Sequence, residues 1–145
     1  MAAFATMTSI TFYSHVTSRL NVARKICAKA MINKIMVSVI TKTENEAYNL
    51  SDLLWSTPAN SFMPNCFGNS PNLKKTPIMI DYDSQRIRKV GILINLTNEI
   101  PKYFSTFERL VEIVDAREEV RKPARQRFIF YKNRGYSVDS HSLNQ

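Results

Sequence analysis

The stretch "KIMVSVIT", residues 34–41, is a continuous apolar run set between two segments of helical periodicity. It restricts the fold more than any other feature of the chain. A strand that is apolar at consecutive positions has no face to offer water, so helices must cover it on both sides, as in a parallel sheet. Upstream, "SITFYS" (9–14) is rich in β-branched and aromatic residues and is expected to be a strand. From Thr17 the period lengthens, with Leu20, Ala23, Cys27 and Ala30 on one helical face and Arg19, Lys25 and Lys29 elsewhere. The chain therefore begins as a βαβ unit.

The same alternation continues. "TENEAYNLSDLLW" opens with Thr43 and Glu46 at capping-box spacing and carries Ala47, Leu50 and Leu54 on one stripe. This second helix should stop near Ser56, because the residue before Pro58 disfavours helical dihedrals. "TPIMIDY" and "VGILINL" are expected strands. "IPKYFSTFERLVEIVD" is expected to be a third helix, with Pro101 in its first turn and Phe104, Phe107, Leu110, Val111 and Val114 facing the core. In "EEVRKPARQRFIFYKNRG", Pro123 is excluded from a helix interior, so the last helix should begin about one turn earlier, near Glu119, and end at Gly135. The expected fold is α/β: a three-layer α/β/α sandwich on a mostly parallel sheet, Rossmann-like without a nucleotide-binding loop. A flexible extension (1–7), one domain (8–137) and a polar tail (138–145) complete the expected organisation.

Several chemistries are disfavoured. With three glycines (Gly68, Gly91, Gly135) the chain has neither GxGxxG nor GxxxxGK[ST] to cradle phosphates. His15 ends a strand and His141 lies in polar sequence, neither within a triad pattern, and His15 is more often a capping or surface residue than a catalytic one. Asp81 and Asp83 in "IDYDS" are expected to be solvated turn formers rather than a metal pair. Cys27 and Cys66 lack ligand spacing and suit a reducing compartment. No catalytic residue, metal or cofactor is expected, and no run approaches the length of a membrane span. A cytoplasmic protein is expected. The net charge of +8, with an isoelectric point near 9.7, favours an acidic partner.

Two stretches stand out. In the last helix Arg121, Arg125, Phe128 and Lys132 follow i, i+4, i+7, i+11 beside an apolar stripe of Val120, Ala124 and Tyr131. An aromatic wall next to cations suits a ligand with both an apolar group and a carboxylate or phosphate. Spacing alone favours a solvated basic face over a ligand site. "LLWSTPANSFMPNCF" (53–67) gathers Trp55, Pro58, Phe62, Met63 and Phe67 in proline-broken chain. It is either an interface or a lid over a sheet edge.

The strand "TFY", the block "EAYNLSDLLWSTPANSFMPN" and the terminal "ARQRFIFYKNRGYSV", in this order, resemble the chi subunit of bacterial DNA polymerase III. The resemblance covers nearly the whole chain from about Thr8. It implies a non-catalytic accessory of the clamp loader that binds the psi subunit. It also implies binding to the acidic C-terminal tail of single-stranded-DNA-binding protein, which ends in proline, phenylalanine and a free carboxylate. Carried over by position, the tail-binding arginine falls on Arg125, a basic residue one turn earlier on Arg121, and the aromatic wall on Phe128, where tyrosine is usual. Lys132 draws in the acidic tail, and the other wall lies around Val114 to Val120. The psi-facing surface falls on Trp55, Pro58, Phe62 and Phe67. The resemblance places the protein at the replisome on the nucleoid, with clamp loader and DNA as indirect partners and a repair helicase as a further one. The rival expectation is a module that binds single-stranded nucleic acid directly.

Overall fold

A computed structural model of the chain describes residues 7–56 and 63–143. Seven strands and three α-helices follow in the order β1 (Ser9–Val16), α1 (Arg19–Ile32), β2 (Val37–Thr41), α2 (Glu44–Ser56), β3 (Asn65–Cys66), β4 (Ile78–Asp81), β5 (Ile92–Leu96), β6 (Arg109–Asp115), α3 (Glu118–Asn133) and β7 (Val138–Ser142). The strands form one sheet in the order β3-β4-β2-β5-β6-β1-β7, and every pairing is parallel. β2, whose apolar run forced the expectation of a covered sheet, is buried at all five residues between β4 and β5.

Two apolar clusters fill the faces. Val22, Ala23, Cys27 and Ala30 of α1 and Ala47, Leu50 and Leu54 of α2 pack with Val39, Ile80 and Ile94 on one side. Val120, Ala124 and Tyr131 of α3 pack with Ile10, Phe12, Leu93 and Leu110 on the other. This is the expected α/β/α layering. Opposite burial of successive residues is the pleat at work: Leu93 and Ile94 are neighbours in sequence and lie on opposite faces.

The capping chemistry accounts for the helix ends. Ser18 caps α1 by accepting from the Asn21 N–H at 3.2 Å. Thr43 Oγ1 accepts from the Glu46 N–H at 3.1 Å. The Glu46 carboxylate accepts from the Lys42 N–H at 3.3 Å. It also pairs with buried Arg19 at 2.9 Å, while Arg19 donates to the Leu96 carbonyl at 3.0 Å. One guanidinium thus ties the starts of α1 and α2 to the end of β5. α3 closes in a Schellman motif: the Gly135 N–H donates to the Lys132 carbonyl at 3.0 Å and the Tyr136 N–H to the Tyr131 carbonyl at 3.2 Å. Gly135 has φ +85°, a region that favours glycine. Gly91 shares such a positive φ, +80°, and a Cβ there would also lie 2.1 Å from the Met36 carbonyl oxygen.

Two expectations fail. The expected third helix over "IPKYFSTFERLVEIVD" is a short 3-10 turn at Phe104–Thr106 followed by β6. The expected core residues are buried, Phe104 and Phe107 ahead of the strand and Leu110, Val111 and Val114 on it, where with Ile113 they alternate between the two faces around a buried Glu112. A helical stripe and a strand covered on both sides both place apolar residues three and four apart, and here the β-branched content decides for the strand. The second failure is the polar tail: Val138–Ser142 forms β7, which pairs with β1 from Ile10↔Val138 to Ser14↔Ser142. It is an edge strand with four exposed residues, so its stability comes from backbone pairing and no apolar alternation marks it in sequence.

Candidate functional site

A cleft of about 200 Å³ opens at the carboxyl ends of β1 and β6. The helices that follow these adjacent strands, α1 and α3, cover opposite faces of the sheet, and such a divergence leaves a crevice. Its lining is mixed. Phe12, Val114 and Ala124 contribute apolar surface, with Phe128 standing edge-on to Phe12 at a centroid distance of 5.3 Å. Arg121 and Arg125 contribute two guanidinium groups from the first turns of α3.

Three of the four expected tail-binding residues, Arg121, Arg125 and Phe128, therefore meet in one cleft. Lys132 does not line it; its ammonium lies 6.0 Å from the Phe128 ring centroid. Arg125 donates to the Glu118 carboxylate at 2.6 Å, across a pair whose side chains are 57% and 66% exposed. The hydrogen bond from Arg125, then its charge, hold the Glu118 carboxyl below the ordinary carboxylate range. Arg125 is thus pre-oriented by an exposed partner that an incoming anion can replace at small cost.

His15 also lines the cleft, at a bulge in β1 with φ +56°. Its Nδ1 lies 2.9 Å from Ser142 Oγ and 3.3 Å from Ser14 Oγ. The nearby carboxylate of Asp115 is engaged by Arg117, at 2.9 Å from one terminal nitrogen and 3.0 Å from Nε. Among the described residues the imidazole faces hydroxyls and no carboxylate orients it, which is not a triad. Asp81 is fully buried rather than a solvated turn former. Its carboxylate accepts from the N–H groups of Gly68, Tyr82 and Asp83 at 2.8 to 2.9 Å. Asp83 does form a turn, accepting from the Gln85 N–H at 2.9 Å. Among the described residues no group of three or more His, Cys, Asp or Glu is placed to hold a metal. No described helix is long and apolar enough to cross a membrane.

Of the expected psi-facing residues, Trp55 is 50% exposed in the last turn of α2, and Tyr48, seven residues earlier on the same helix face, is 51% exposed. Phe67 turns partly inward, against Tyr48 at 4.9 Å and edge-on to Tyr82 at 6.3 Å. Pro58 and Phe62 lie outside the described residues.

The description "DNA polymerase III chi subunit, HolC" matches residues 7–139. The chain belongs to this chi family. It is 28% identical over 141 residues to the DNA polymerase III subunit chi of Pseudomonas aeruginosa, covering 94% of this chain and 98% of that one. The chi subunit of Haemophilus influenzae is 24% identical over 111 residues, 76% of each chain. That of Escherichia coli is 28% identical over 106 residues, 72% of this chain and 71% of the other. As a member of a family of DNA polymerase III subunits, the chain has its role in DNA replication.

The chi-family α3 is seated by a group that the sequence reading missed. Glu112, fully buried on β6, accepts from Arg127 through Nε at 3.1 Å and a terminal nitrogen at 3.0 Å. It also accepts from the Tyr131 hydroxyl at 2.9 Å and from Asn95 Nδ2 at 3.0 Å. Burial, then the Glu112 charge, push the Tyr131 hydroxyl far above its usual pKa. The signal was present as a lone carboxylate inside "LVEIV". A helical reading of that segment turned it toward solvent.

Proposed function

We propose that the chain is a non-catalytic adaptor of the DNA polymerase III complex, coupling the clamp loader, through psi, to the acidic C-terminal tail of single-stranded-DNA-binding protein. The observation that carries this reading is the cleft in which Phe12, Val114 and Phe128 lie beside Arg121 and Arg125. A peptide ending in proline, phenylalanine and a free carboxylate has the matching halves: a ring for the apolar floor and a charge for the guanidinium groups. Lys132, beyond the Phe128 ring, extends the positive field along the helix toward the acidic residues that precede that end. Phe128 supplies the wall without a hydroxyl, so orientation of the carboxylate falls to the arginines.

The psi contact is assigned to the Trp55 end of α2, with Pro58, Phe62 and Phe67. Half-exposed Trp55 and Tyr48 give this end the aromatic surface that suits a lasting protein contact. A permanent apolar contact and a weaker, salt-sensitive one make the adaptor bivalent. Several tails on one DNA then raise its effective affinity without any new contact.

The test is titration of the protein with a peptide ending Asp-Ile-Pro-Phe. Arg125→Ala should weaken binding by about 2 kcal/mol, the size of a lost charge-assisted hydrogen bond, or roughly thirtyfold. Unchanged affinity would remove Arg125 from the site.

A further inference from the structure

A second and larger cleft, of about 610 Å³, lies at the carboxyl ends of β2 and β5, away from Arg121 and Arg125. It has the same topological origin. The chain leaves β2 into α2, packed on one face, and leaves β5 toward Phe104 and Phe107, packed on the other. The crevice between such strands is where open α/β sheets hold ligands, and its volume falls in the range of small-molecule sites.

Its chemistry is specific. Lys42, Lys89 and Lys102 line it, against a single carboxylate, Glu99. Among the described residues none of these three ammonium groups is in an ion pair. Two aromatic rings, Tyr82 and Tyr103, also line it. Tyr82 is oriented by its hydroxyl, which donates to Glu44 at 3.0 Å. Tyr103 carries Lys89 at 5.6 Å from its ring centroid. The Tyr103 hydroxyl is buried and has no hydrogen-bond partner among the described residues. The rim is held in place: Asn95 Nδ2 donates to the Glu99 carbonyl at 2.9 Å, and the Thr97 N–H donates to Asn95 Oδ1 at 3.0 Å.

We infer that this cleft binds a nucleotide unit, free or as one residue of a single strand, with its phosphate among Lys42, Lys89 and Lys102 and its base against the tyrosine rings. Three cations in no ion pair among the described residues supply a phosphate site without the glycine-rich loop that the chain lacks. Flat rings that stack on any base supply affinity with little sequence preference. The inference does not depend on the peptide cleft, which uses different residues.

The test is an NMR titration of the full chain at low salt with thymidine 5′-monophosphate, a short oligothymidylate and inorganic phosphate in turn. The nucleotide probes should shift amides of residues 97–100, 102 and 103 and leave those around Arg121 and Arg125 in place. Lys89→Ala combined with Lys102→Ala should weaken nucleotide binding at least tenfold and flatten its salt dependence. Tyr103→Ala, which removes a ring from the lining, should weaken it severalfold. Thermal melting of each variant serves as the control for folding. Tighter, more salt-sensitive binding of the oligonucleotide assigns the cleft to a strand, and equal binding assigns it to a free nucleotide; either outcome supports the inference. It is overturned if neither nucleotide probe binds at millimolar concentration, if phosphate alone binds as tightly, or if the lysine variants bind normally.

Discussion

Replacing Glu112 with alanine should unseat α3. The carboxylate removed accepts from both forks of Arg127, which is 4% exposed, and from the Tyr131 hydroxyl. Its loss leaves a buried guanidinium with no counter-charge, and one of its terminal nitrogens already has no partner among the described residues. Breaking one side of a buried pair costs about 3–5 kcal/mol. The orphaned Tyr131 hydroxyl raises the cost only partly, because the two losses share one network. Asn95 keeps its bond to the Glu99 carbonyl and adds little. The expectation is about 4 kcal/mol, or a fall in Tm of roughly 12 °C for a chain of this size. Urea denaturation and thermal melting read it directly. The triple variant Glu112→Leu, Arg127→Met, Tyr131→Phe should recover most of the loss, since an apolar replacement leaves no charge buried alone. A loss below about 1 kcal/mol in Glu112→Ala, or a triple variant no better than the single one, would refute this account of how α3 is held.

Other outcomes follow from the same geometry. Glu118→Gln should tighten tail-peptide binding by roughly two- to fivefold, because the native carboxylate competes for Arg125 as an exposed ion pair; unchanged or weaker binding measured by calorimetry would count against the competition. Burial raises the Cys27 thiol pKa to about 12, above its unfolded value. The stability linked to this group is complete below pH 9 and declines as pH rises toward 12, with a limiting slope of about 1.4 kcal/mol per pH unit. In Cys27→Ala, denaturation midpoints should fall less steeply over that window. Trp55→Ala should abolish co-purification with psi while tail-peptide affinity stays within about twofold, a change below 0.5 kcal/mol.

The sandwich was legible because most strands announced themselves by covered apolar runs, β2 most of all, and because α1, α2 and α3 kept their periodicity. β6 was misread for a physical reason. Its neighbours on both faces bury every residue from Leu110 to Val114, which erases the alternation that distinguishes a strand. β7 was missed because an exposed edge strand is held by its pairing to β1, a partner more than a hundred residues away in the sequence. Helical spacing brought Arg121, Arg125 and Phe128 onto one surface. It could not show the opposing wall, since Phe12 and Val114 come from strands whose adjacency is a property of the sheet order. Nor could it show that Lys132 stands outside the cleft, or that Glu118 already holds Arg125.

The most direct measurement compares two peptides of identical sequence ending Asp-Ile-Pro-Phe, one with a free C-terminal carboxylate and one amidated, by calorimetry on the unmodified protein. A carboxylate seated between Arg121 and Arg125, with the terminal ring against Phe128, predicts that the free acid binds and that the amide is weaker by about 2 kcal/mol, with the difference shrinking as salt is raised. Equal affinity for the two peptides would contradict it.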